Sequence, residues 1–137
     1  MTLKKFIKTH DGTKVGSGQC VALARLWIAE LEGSADGFDS MPRVASAKDF
    51  WTSAPKASWT KVRRKGSTLP PAGALVIFDP TDGNEHGHVG IALGTTGPTA
   101  DTFETFDQNF GVKLRARLEA HRFAGVRGWL VFKPPAN

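Results

Sequence analysis

The chain contains a single cysteine, Cys20, placed directly after the small-residue run Gly16-Ser17-Gly18-Gln19. Beyond it Val21, Ala24, Ile28 and Leu31 recur at helical spacing, so the pattern predicts a loop feeding a helix over Gln19 to Leu31 that begins at or near Cys20. That placement has a chemical consequence, because the partial positive charge of a helix N-terminus favours a thiolate over a thiol. A thiolate is a nucleophile. The competing reading is a small core residue, the ordinary fate of a lone buried cysteine, and the residues elsewhere in the chain have to decide between the two.

A nucleophile needs a base, and His88 is the histidine whose surroundings suit that role. It opens Gly87-His88-Val89-Gly90-Ile91-Ala92-Leu93, where strand alternation sets His88, Gly90 and Ala92 on one face and Val89, Ile91 and Leu93 on the other. The branched face suits a core. The opposite face is small enough beyond His88 to let the helix carrying Cys20 approach closely. His10, His86 and His121 read instead as surface histidines. A third role, fixing the imidazole's tautomer, falls to Asp107 or Asn109 in Asp107-Gln108-Asn109, which alternation places on one face with Gln108 on the other. Residue types alone leave both open.

Elements must bring these positions together. Gly33 to Asp39 closes the first helix, and Ser46 precedes a short helix over Ala47 to Trp51. A basic connector with Lys61, Arg63, Arg64 and Lys65 then runs to Pro70-Pro71, a pair that neither helix interior nor central strand tolerates. From there strands are predicted over Ala74–Phe78, His88–Leu93, Asp101–Asn109, Val112–Leu118 and Gly128–Phe132, with a polar loop over Asp79–Gly87. Helices first and strands afterwards argue for an α+β fold in which N-terminal helices pack on an antiparallel β-sheet.

A length of 137 residues fits one domain, 1–137, able to bury roughly two thirds of its unfolded surface. One cysteine excludes an internal disulfide. The first ten residues carry lysines without a following apolar segment, and no apolar run approaches membrane-spanning length, so synthesis in the cytoplasm without a signal peptide is expected. A net charge of +5 predicts attraction to polyanions, including wall polymers. No framed set of aromatic stacking residues points to nucleic acid.

Taken together, Gly18-Gln19-Cys20-Val21-Ala22, Gly73 to Phe78 leading into Gly87 to Ile91, and Asp107-Gln108-Asn109 resemble the CHAP family, the cysteine, histidine-dependent amidohydrolases and peptidases of phage endolysins and bacterial wall hydrolases. The resemblance implies a papain-like fold, Cys20 as nucleophile, His88 as base and Gln19 near the oxyanion hole. It further implies a monomeric endolysin that cuts amide bonds of bacterial peptidoglycan at the cell wall, without a cofactor and without nucleic-acid or stable membrane association. The family's acidic position is more often glutamate and here is Asp107. The acidic loop that binds calcium in some relatives is represented here only by Asp11, so no metal is expected. Two rivals follow from other residues: a zinc peptidase built on the pair His86-Gly87-His88, and a non-catalytic wall-polymer binder built on the basic connector.

Overall fold

The computed structural model describes residues 1–110 and 114–134. Helix α1 spans Leu3–His10, α2 Cys20–Glu32 and α3 Asp49–Ser53. Six strands follow, β1 Trp59–Arg63, β2 Leu75–Phe78, β3 His88–Thr96, β4 Thr102–Asp107, β5 Arg117–Arg122 and β6 Val126–Phe132. They form one antiparallel sheet in the order β1-β6-β2-β3-β4-β5. The expected α+β architecture is what the chain adopts.

Helix α2 forms where the periodicity places it and buries Leu23, Ala24, Trp27 and Ile28 along one stripe. Gly33 ends it in the left-handed conformation at φ 73°, which costs a glycine no Cβ clash, and donates its N–H back to the Ala29 carbonyl. The α2 stripe packs on Leu75, Ile77, Val89, Ile91, Phe106 and Leu130 of the sheet, so the helix covers the branched face of β3. This corrects the expectation that the helix approaches the small-residue face. Branched side chains offer more apolar area to bury, and burial decides the packing. The Trp27 indole also donates 2.8 Å to the Gly73 carbonyl, tying the helix to the entry of β2. On the other face Val76, Ala92, Phe103, Phe123 and Trp129 make a second, smaller cluster.

Other expectations shift in register or type. Helix α1 was not visible in the apolar pattern, yet Thr2 caps it by accepting from the Lys5 N–H, and Phe6 anchors it against Trp27 and Phe106. The short third helix begins at Asp49 rather than Ala47, since Ser46 N–H is held by the Asp49 carboxylate in the turn that precedes it. Residues 59–63 of the basic connector are strand β1, paired with β6 at the sheet edge, where outward cations are tolerated and block edge-to-edge pairing. Strand β3 extends three residues past Leu93. Of the strand expected over Val112–Leu118, the first two residues lie outside the described residues. Strand β5 itself starts at Arg117, because Ala116 spends its N–H on Thr13 and its carbonyl on Gly12.

Candidate active site

Cys20 is the first residue of α2 and His88 the first residue of β3, and the two starts border one cleft. The half-buried Cys20 and the His88 ring line this cleft, and the sulfur is near enough to act on the imidazole. On its far side, His88 Nε2 stands 2.7 Å from Asp107 Oδ2. An ionised carboxylate only accepts, so Nε2 carries the hydrogen and Nδ1 is the nitrogen left to take a proton from sulfur. His88 and Asp107 are both buried. Burial disfavours the protonated imidazole, but the hydrogen bond and charge of Asp107, with the Cys20 contact, override it and raise the His88 pKa to about 9. Burial likewise opposes the Asp107 carboxylate, yet hydrogen bonds from His121 and His88 hold its pKa down at about 2.

Between the two candidates for orienting the imidazole, the geometry separates Asp107 from Asn109. Strand β4 ends at Asp107, and Asn109 adopts a left-handed backbone at φ 59°. Strand alternation therefore stops before Asn109. Its amide donates at 2.6 Å to Gln19 Oε1, tying the side chain that precedes Cys20 to the end of β4. Gln108 is buried, and its side chain accepts from Val15 N–H at 2.8 Å and donates to the Val15 and Gln19 carbonyls at 2.9 Å each. The residues of Asp107-Gln108-Asn109 thus hold the His88 ring, the loop before Cys20 and the Gln19 side chain respectively.

Gly90 contributes by its lack of a side chain: a Cβ there would collide with Asp107 Oδ1. The small-residue face of β3 makes room for the carboxylate rather than for the helix.

Sequence reasoning missed His121. Expected at the surface, it is buried, with Nε2 2.6 Å from the same Asp107 Oδ2. Arg117-Leu118-Glu119-Ala120-His121-Arg122 lacks the apolar alternation that marks an inward strand face, which is why it was overlooked. His86 does lie on the surface, 2.7 Å from Ser46 Oγ through Nδ1. The zinc rival needs His86 beside His88, but the His86 ring is engaged by Ser46 instead. Among the described residues, His88 clusters instead with Asp107 and His121, both rings at hydrogen-bond distance from the shared carboxylate.

Cys20 and His88 open into a cleft of about 650 Å³ walled on one side by Arg25, Phe38 and Arg43. A second cleft of about 710 Å³ continues from His88 past Phe78, Phe110 and His121. Asn84, His86 and Gln19 line both. The thiol thus lies along a trough that runs in two directions.

The CHAP domain matches the chain over residues 9–109, a span that contains Cys20, His88, Asp107 and Asn109. The chain belongs to the CHAP family. Its fold is similar to the crystal structure of Ly7917 with the hydrolyzing product of MDP, at a TM-score of 0.77 and 23% identity, covering 96% of this chain and 63% of that one. A wild-type endolysin, LysIME-EF1, is similar at a TM-score of 0.71 and 23% identity, with 96% and 62% covered. The CHAP chain thus spans somewhat less than two thirds of the length of these proteins. No curated protein matches it in sequence.

Proposed function

We propose that this CHAP chain is a peptidoglycan hydrolase of the endolysin type that cleaves amide bonds through Cys20. The observation that carries the reading is a thiol at the head of α2 facing a histidine whose other nitrogen is held by a buried carboxylate. His88 Nδ1 takes the thiol proton and the sulfur attacks the amide carbonyl carbon. The oxyanion is met by the Cys20 backbone N–H and Gln19 Nε2, donors worth about 3 kcal/mol each in comparable sites. His88 then returns the proton to the departing amine as the C–N bond breaks and a thioester remains. Water attacks the thioester with His88 as base, the acid is released and the thiol is restored. Thiol, imidazole and water complete the cycle.

Membership of the CHAP family and the likeness in fold to an endolysin support peptidoglycan as the partner. The enzyme works as a monomer at the cell wall after synthesis in the cytoplasm. Among the described residues no helix is long and apolar enough to cross a membrane. Cys20→Ser exchanges one atom and should keep the melting temperature within a few degrees, a change of about 1 kcal/mol or less. Turnover on purified peptidoglycan should disappear, since a serine hydroxyl is far less acidic than a thiol. A folded serine variant with near-native turnover would overturn the thiol mechanism. Mass spectrometry of the digest identifies the bond.

A further inference from the structure

Asp107 receives two imidazoles on one oxygen. His88 and His121 approach Oδ2 at 2.7 and 2.6 Å, while Oδ1 is buried with no hydrogen-bond partner among the described residues and faces Gly90. A carboxylate held by one donor can turn about its Cβ–Cγ bond and offer either oxygen. Two donors converging on Oδ2 from different strands, with the β3 backbone closing off Oδ1, leave one orientation. His121 is itself fixed in place: its ring lies against Phe110 at 4.5 Å, Phe78 at 4.6 Å and Phe103 at 6.0 Å. The bond to Asp107 is the one side-chain hydrogen bond that His121 makes among the described residues.

We propose that His121 is a positioning residue of the hydrolase: its Nε2–H fixes the Asp107 carboxylate, and through it the tautomer and ring plane of His88 that face the Cys20 thiol. The proposal rests on the Cys20–His88 reading. His121 touches neither thiol nor substrate in this role. A passive filler of the space between the phenylalanines would need no N–H aimed at the carboxylate.

Two replacements separate the alternatives. His121→Phe keeps a ring in the aromatic cage and removes the donor, whereas His121→Gln places an amide N–H where Nε2 now lies. On a soluble peptidoglycan fragment, His121→Phe should lower kcat at least tenfold with KM within about twofold, and His121→Gln should recover most of that loss. Native kcat in His121→Phe, or equal losses in both variants, overturns the proposal. The wild-type protein supplies a readout independent of either variant's folding. Ring 15N shifts should report His121 as the Nε2–H tautomer, and an Nδ1–H tautomer refutes the role. Cys20→Ala is run alongside: if it remains active, the thiol reading has failed, whereas an inactive Cys20→Ala beside a fully active His121→Phe fails the positioning role alone.

Discussion

Gly90 shows how much a single atom governs at this site. Its backbone lies outside the left-handed region, so alanine would suit the strand, but the added methyl would occupy the space taken by the Asp107 carboxylate. Gly90→Ala should therefore cost about 1–3 kcal/mol through overpacking and reduce turnover at least tenfold, by displacing the group that orients His88. Thermal unfolding and kcat measured on one preparation check both. The His88 proton sets a second expectation. With its pKa raised from 6.5 to about 9, activity should fall along an alkaline limb near pH 9, where the imidazolium that protonates the leaving amine is lost. Asp107→Asn removes the charge that raises this value, so the limb should move to lower pH. Because the folded value lies above the unfolded one, the contribution of His88 to stability is full below about 6.5 and disappears as pH rises through about 9. Cys20 and His88 were legible from residue type and spacing, and Asp107 as one of two candidates beside Asn109. His121 was not, because its importance comes from one long-range contact that leaves no periodic trace.

The elements divide the work by where they end. Helix α2 and strand β3 each begin with the side chain that matters, and β4 finishes on one. The sequence pattern placed the starts of α2 and β3 well, because glycine, small residues and alternation mark them locally, but carried β4 two residues too far, to Asn109. The faces were harder to assign. Alternation sorted the β3 side chains into two sets, but which set receives the helix depends on the apolar area offered by β2, β4 and β6, and a single segment does not carry that information. Strand β1 was concealed for a related reason: Lys61 and Arg63 read as a solvated run, and only pairing with β6 makes residues 59–63 extended. The charged groups of both lie over the Trp51 ring, at 5.0 and 5.6 Å, where the aromatic face attracts a cation.

Across the whole molecule the charge is uneven. From Phe50 to Phe78 the chain contains Lys56, Lys61, Arg63, Arg64 and Lys65 and no acidic residue. With a net charge of +5, the CHAP chain should reach anionic cell walls faster than diffusion alone provides, and rising salt should slow lysis of whole cells much more than cleavage of a small neutral peptide. Equal inhibition of both would show that electrostatic recruitment is not at work. The Gln108 side chain has a consequence for how the molecule comes apart. Its three bonds join the loop before Cys20 to the end of β4, across about ninety positions of sequence. The loop therefore cannot open on its own while the sheet stays closed. In amide hydrogen exchange Val15, although it lies in an irregular segment, should exchange as slowly as the residues of β4, and Gln108→Ala should return it to the rate of a frayed loop.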